Sequence, residues 1–401
     1  MNLILRAGVC ILLLALSLVP ARAEKKYGPG VTDTEIKIGQ TMPYSGPASS
    51  YGAYGKSEAA YFDKINAEGG INGRKIRFIS LDDGYSPPRT VEQTRRLVEQ
   101  EEVLLLFSSL GTPTNSAVQK YLNAKQVPQL FVASADGKFS DPVRFRWTMG
   151  WVPTQQTETT AYVRYLLKNR PNAKIAVLFQ NDDFGKDYLK WFKAALGERA
   201  AGMIVAEVSF ETTDPTVDSQ IFSLKASGAD TFVDFATPKF AAQAIRRVYD
   251  IGWRPLHILV GASRSVAAVL QPAGLEKSVG VITGAFIKDP ADPTWKDDPG
   301  MREWNAWMDR YYADGDRADY SNVAGYGLAQ ALVYVLKQCG DDLSRENVLR
   351  QASSIRELKL PVLLPGIRIS TSPSDYRPIR QMQLQRFDGK QWVLFGEVMG
   401  E

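Results

Sequence analysis

The chain has 401 residues, more than one ordinary hydrophobic core supports, so two domains are expected. With 44% hydrophobic and 23% charged residues it has the composition of a soluble globular protein. Its 48 basic and 44 acidic side chains leave a net charge of +4 spread without blocks, which argues against a nucleic-acid surface.

The first 23 residues carry a positive start at Arg6, an apolar run from Val9 to Val19, and Ala21-Arg22-Ala23 before Glu24. This is the pattern of a cleaved secretory signal, with the mature chain starting near Glu24. A membrane anchor is the competing reading, but the apolar run falls short of the roughly 20 residues that span a bilayer. Cys10 leaves with that leader and Cys339 remains alone, so no intramolecular disulfide is expected and the cores must hold the fold.

From Ile36 to Asp83 the pattern predicts strand, glycine-rich loop, helix, turn and second strand: Ile36 and Ile38 alternate, while Ala59, Phe62 and Ile65 recur every three residues. Gly69 and Gly70 end the helix, and Asn72-Gly73 turns the chain into a strand from Lys75 to Leu81. A strand that returns through a helix lies parallel to its neighbour, so the intervening loop opens at the carboxyl edge of the sheet, where ligands bind in such folds. Tyr44, Ser45, Ser49, Ser50, Tyr51 and Tyr54 crowd that loop. A helix over 87–100 and a buried strand over 103–107 follow. Thr114 is the expected N-cap of a helix carrying Val118, Tyr121 and Leu122, and a strand over 129–132 opens the loop from Ala133 to Phe139.

Near Trp147 to Pro153 the alternation starts again. Strands are predicted over 174–179, 204–208, 231–235, 257–260 and 279–283, with helices through Tyr162 and Leu166, after Asn181 to Gly185, and over 217–226 and 239–251. This is a second parallel sheet. Phe286 to Pro293 is extended and proline-rich, which suits a crossing segment. Helices over 302–312, 321–337 and 345–353 would cover the first lobe, and a hairpin on Asp388-Gly389 ends the chain.

Catalytic signals are weak. His257 stands alone in an apolar strand pattern, so neither a Cys/His nucleophile nor a zinc site assembles readily, and no metal is expected. Gly55-Lys56-Ser57 mimics the end of a phosphate loop, but Ser50 stands where its first glycine belongs. The pairs Asp82-Asp83, Asp182-Asp183 and Asp297-Asp298 read as solvated loop ends. An enzyme is not expected, and a hydrolase stays open only if turnover of a bound solute is found.

The run Met42-Pro43-Tyr44-Ser45-Gly46-Pro47, then Tyr51-Gly52, Asn66 to Arg74 and Asp82-Asp83, closely resembles the start of periplasmic solute-binding proteins of the branched-chain amino acid transporter family. The resemblance runs from about residue 32 to the end. It implies two doubly wound α/β lobes joined by a hinge that the chain crosses three times, near 149–151, 285–290 and 370–378. The first lobe would then comprise 27–149 and 287–374, and the second 150–286 and 375–401. It also implies a periplasmic monomer without cofactor, which closes on a solute and presents it to the permease and ATPase subunits of an ABC importer. A ligand-sensing partner of a membrane receptor would share the fold and leader.

By the same resemblance Tyr51 and Phe184 are aromatic walls, Gly111, Thr112 and Thr114 form the loop that holds a carboxylate, and Ala135, Asp136 and Gly137 form its partner. Thr237, Ser263 and Arg264 complete the candidate set. Amino acid binders of the family place hydroxyls where Gly111 and Gly137 align and an acidic residue near Ser263; none is present here. A buried ammonium without a counter-charge costs several kcal/mol, enough to erase a micromolar affinity of about 8 kcal/mol. The expected solute is therefore a small organic carboxylate with an apolar or aromatic body, its acid held by Arg264 and the Thr112 to Thr114 loop. A surface placement of Arg264 is the competing reading. The alternative solute is a branched-chain amino acid, its ammonium met by Asp136 or Asp234.

Overall fold

The computed structural model describes residues 25–400, so the leader read over 1–23, with Cys10, lies outside the described residues. A short strand β1 (Lys26–Tyr27) leads to β2 (Glu35–Met42), whose Ile36 and Ile38 are fully buried on one face. A 3-10 turn at Ser49–Tyr51 starts helix α1 (Gly52–Ala67), which returns the chain to β3 (Lys75–Asp82). Gly69 and Gly70 take φ of 107° and 81°, and Asn72 and Gly73 take 49° and 84°, left-handed values that stop the helix and reverse the chain. β3 then runs parallel to β2 along its whole length, Glu35 opposite Lys75 and Met42 opposite Asp82.

Helix α2 (Pro87–Arg95), strand β4 (Leu105–Phe107), helix α3 (Thr112–Ala124), and strands β5 (Gln129–Val132) and β6 (Thr148–Gly150) complete the first lobe's sheet. It has five parallel strands in the order β3-β2-β4-β5-β6. The expected N-cap at Thr114 is corrected here. The N-cap is Gly111, three residues earlier and at φ 103°, and the Thr114 hydroxyl, inside the first turn, donates back to the Leu110 carbonyl at 2.6 Å.

After β6 the chain passes to the second lobe through α4 (Gln155–Asn169), β7 (Ile175–Gln180), α5 (Asp183–Leu196), β8 (Ile204–Phe210), α6 (Asp218–Ala226), β9 (Thr231–Phe235), α7 (Pro238–Asp250), β10 (Leu256–Leu259) and β11 (Ile282–Ala285). It then returns to the first lobe, where Ile287 bridges Leu363 and helices α8 (Pro299–Tyr311) and α9 (Tyr320–Gln338) share one core with α1 and β2. A two-residue strand β12 (Asp342–Leu343), which the sequence pattern did not announce, pairs with β1, and α10 (Arg345–Ala352) follows. Finally the chain crosses back into a hairpin of β13 (Gln381–Phe387) and β14 (Trp392–Gly400). The second sheet runs β14-β13-β11-β10-β9-β7-β8, with β13 antiparallel to both β14 and β11 and the other pairs parallel.

Separate apolar clusters lie on the two faces of each sheet, which is the doubly wound arrangement of both lobes. α9 is buried on nearly every side over its first three turns because α1 packs closely against it. Gly325 permits that approach, since a Cβ there would lie 2.7 Å from the Tyr54 carbonyl oxygen.

Candidate functional site

In each sheet the strand order reverses once, between β2 and β4 in the first lobe and between β7 and β9 in the second. At such a switch point adjacent loops leave the carboxyl edge in opposite directions and open a crevice. The loops after β2 and β4 bring Tyr51, Gly111 and Thr112 to the first crevice, and those after β7 and β9 bring Phe184 and Thr237 to the second. The crevices face each other and leave a cavity of about 90 Å³. An apolar cavity of ~150 Å³ takes one benzene, so this space restricts a guest to a few carbon atoms beyond any polar group.

The cavity's cation is Arg264, which follows β10 and is 1% exposed. Its surface placement is thereby excluded. The guanidinium carbon sits 4.3 Å from the centre of the Tyr320 ring and 5.5 Å from that of Phe286, and Nη1 donates to the Gly284 carbonyl at 3.2 Å. Nε and Nη2 are buried without a hydrogen-bond partner. Unpartnered buried donors cost about 1–3 kcal/mol each, so the arrangement is one that a guest acceptor completes.

One acidic side chain also lines the cavity, and sequence reading missed it. Glu158 stands in the first turn of α4, which Thr154 caps. Its Oε1 accepts from the Tyr162 hydroxyl at 2.5 Å and the Gly261 N–H at 2.6 Å, and Oε2 accepts from the Tyr188 hydroxyl at 2.7 Å. Burial pushes its carboxyl above the usual range, opposed by those three donors and by the Arg264 charge. No periodicity could have exposed this residue, because only Tyr162 shares its helix and the other two donors, Tyr188 and Gly261, come from distant segments.

Of the candidates named from sequence, Tyr51, Gly111, Thr112, Ala135, Phe184, Thr237 and Arg264 line the cavity. The Thr112 and Ser134 hydroxyls lie 2.7 Å apart. Gly111 is required by its backbone: a Cβ would meet the Tyr85 ring at 2.7 Å in a left-handed conformation. Thr114, Asp136, Gly137 and Ser263 lie outside the lining. Thr114 is turned back onto Leu110, Ser263 donates to the Ala236 carbonyl at 2.6 Å, and Asp136 accepts from the Lys138 N–H. Asp234, the other expected ammonium partner, is buried in β9 with His257 Nε2 3.5 Å away, and neither lines the cavity. Tyr54, Tyr85, Tyr188, Phe286 and Tyr320 complete the aromatic wall.

Two discounted motifs have structural roles. Gly55-Lys56-Ser57 lies within α1, where Ser57 donates to the Asn322 carbonyl. The acidic pairs are not simply solvated: Asp83 is fully buried and bonds Tyr85 N–H and Thr90, Asp182 caps α5, and Asp298 caps α8.

The lobes touch around the cavity. Tyr51 and Tyr320, both in the first lobe's core, donate to the Ala262 carbonyl at 3.1 Å each, and Ser265 donates to Asp319 at 2.9 Å. A solute held here would be hidden from water, which strengthens each polar contact it makes.

Two hinged α/β lobes closed around a small cavity define a solute-binding protein of the bilobal type. The chain belongs to the periplasmic binding protein family, whose profile matches residues 35–391. It is 24% identical over 341 residues to Leu/Ile/Val-binding protein homolog 7 of Brucella abortus (strain 2308), covering 81% of this chain and 82% of that one. Similar solved structures include a branched-chain amino acid ABC transporter protein from Thermus thermophilus with bound valine (TM-score 0.83, 15% identity, 92% and 98% of the two chains). A fatty acid ABC transporter substrate-binding protein from Thermomonospora curvata is likewise similar (TM-score 0.79, 21% identity, 94% and 95%).

Proposed function

We propose that this protein captures a small organic carboxylate with an apolar body of a few carbon atoms, the cavity being too small for an aromatic ring, and presents it, in the periplasm, to an ABC importer. The single observation that carries the ligand class is Arg264, a fully buried guanidinium facing the cavity with Nε and Nη2 unpartnered. Those two donors form one edge of the planar fork that grips a carboxylate by two hydrogen bonds. Thr112 at the start of α3 and Ser134 in the loop after β5 supply hydroxyls 2.7 Å apart, and the rings of Tyr51, Phe184 and Tyr188 surround the body.

The cavity's acceptors are largely used. The Ala262 carbonyl takes two tyrosine hydroxyls, the Gly284 carbonyl takes Arg264, and Glu158 takes three donors. An ammonium brings three protons that each need an acceptor, whereas an anion brings acceptors only. This balance favours an acid without an amino group.

The second reading is an α-amino acid, favoured by Glu158, whose Oε2 retains one free lone-pair direction, and by the names of the relatives. Calorimetry of the mature protein with leucine, valine, propionate and butyrate separates the two. Binding of a short-chain acid at micromolar concentration with no response to the amino acids is expected; tight leucine or valine binding would replace the carboxylate reading.

A further inference from the structure

The walls of the cavity differ in how firmly they are held. Tyr51 and Tyr320 are tied by their hydroxyls to the Ala262 carbonyl, Tyr54 donates to Tyr320, and Tyr188 donates to Glu158, so these rings are pinned at their far ends. Among the described residues that line the cavity, Met382 alone has an unbranched apolar side chain. It is 2% exposed, and its soft torsions and weakly accepting sulfur let it fill an irregular gap without a fixed tether.

Met382 is the second residue of β13 and stands beside a break in the ladder with β14. It lies opposite Met399, whereas Leu384 lies opposite Phe395, and Gly396 in the bulged strand takes φ 69°. Bulges bend a strand and re-aim its side chains. On its other edge β13 pairs with β11, where Gly284 faces Leu384, so Gly284 and Met382 are diagonal neighbours on one face of the sheet. Gly284 leaves its place on that face empty, and the Met382 tip takes it: a Cβ on Gly284 would collide with Met382 Cε and stand 3.3 Å from Sδ. Both residues line the cavity.

We propose that Met382 is the size gauge of the solute cavity: its thioether, lodged over Gly284, sets the largest apolar body the site accepts and keeps an aromatic ring out. This rests on the reading of the cavity as the site of a short carboxylate, and it concerns the volume of that site rather than its charge. A space of ~150 Å³ takes the carbons of one benzene, or about 25 Å³ each, so the present cavity of about 90 Å³ admits three or four. Met382→Ala removes Cγ, Sδ and Cε and opens about 75 Å³ more, which is room for a ring. Gly284→Ala acts in reverse. Its methyl group claims the place of the Met382 tip, and with the packed second-lobe core behind it the tip has the cavity to move into.

Titration calorimetry of the mature chain with acetate, propionate, butyrate, hexanoate and benzoate reads the gauge. In the wild type affinity should climb roughly fourfold per methylene as far as butyrate and then collapse, with no binding of hexanoate or benzoate. Met382→Ala should bind butyrate more weakly, move the collapse beyond hexanoate and bring benzoate into range, while Gly284→Ala should move it down to propionate. Met382→Val, whose side chain suits a strand and also lacks the tip over Gly284, repeats the test if the alanine variant does not fold. Benzene, which has no charge, keeps the gauge separate from the ligand reading: it should raise the melting temperature of Met382→Ala and leave that of the wild type unchanged. That response without binding of any acid removes the carboxylate and leaves the gauge standing. A wild type that binds benzoate as tightly as butyrate, a chain-length limit that neither Met382 variant moves, or a Met382→Ala protein that ignores benzene would each overturn it.

Discussion

Arg264→Met puts the proposed recognition to its sharpest test, because it should lower affinity far more than stability. Methionine keeps an unbranched stem of similar length against Tyr320 and Phe286 but removes every guanidinium donor. In the empty protein the losses are one hydrogen bond to the Gly284 carbonyl, the cation–π contacts with Tyr320 and Phe286, and the positive charge beside buried Glu158, and the gain is relief of two buried donors without partners, Nε and Nη2. Such orphans cost about 1–3 kcal/mol each, against roughly 1 kcal/mol for the bond and about 0.5–2 kcal/mol for each cation–π contact, so gains and losses offset and the melting temperature of the empty protein should change little. The bound acid, in contrast, loses its charged partner in a water-excluded site, at about 2–5 kcal/mol, or ~30- to several thousand-fold in Kd. Differential scanning calorimetry of the empty protein and titration calorimetry with the tightest acid from a thermal-shift panel measure both arms. A Kd within threefold of wild type would refute the role of Arg264, and a large fall in melting temperature with intact affinity would show that the side chain serves only the fold. Arg264→Lys keeps the charge without the fork and should fall between the two.

Tyr320→Phe removes one of two hydroxyls donating to the Ala262 carbonyl, so closure should weaken by about 1 kcal/mol and affinity roughly fivefold, read by titration calorimetry; unchanged affinity would mean Tyr51 alone suffices. Glu158→Gln keeps the volume but exchanges a charged acceptor of three donors for an amide whose NH2 group must face a hydroxyl or an N–H. A loss of about 2–3 kcal/mol is expected, visible as a fall of several degrees in melting temperature, and a fall under 2 °C would show that Tyr162 and Tyr188 find other acceptors. Gly325→Val drives a side chain into the Tyr54 carbonyl, 2.7 Å from where Cβ would stand, and should cost about 1–3 kcal/mol by denaturant titration; a neutral result would mean that α1 and α9 separate freely.

Much of the fold was legible because its signals are local. Ile36 and Ile38 alternate, Phe62 and Ile65 repeat along one helix face, and Gly69, Gly70 and Asn72-Gly73 mark where the chain must take left-handed conformations, so the first βαβ unit followed from neighbours in sequence. The same logic placed Tyr51, Thr112, Phe184 and Thr237 at loops leaving carboxyl ends of strands. It misjudged Thr114, since a threonine near a helix start reads as a cap whether its hydroxyl turns forward or back onto Leu110. It also treated Asp83 and Asp182 as solvated, because an acidic pair looks the same whether water or backbone N–H groups satisfy it.

The chain's own pattern determined two doubly wound sheets, their succession, and an arginine beside Ser263 where an anion could be met. Which way that arginine points, that its Nε and Nη2 are left bare between Tyr320 and Phe286, and that Glu158 stands beside it with three donors already bound, were decided only by packing. Periodicity reports how a residue relates to those three or four places away. The charge balance of the cavity depends on side chains more than a hundred residues apart, brought within hydrogen-bond reach only when both sheets and the hinge between them have formed.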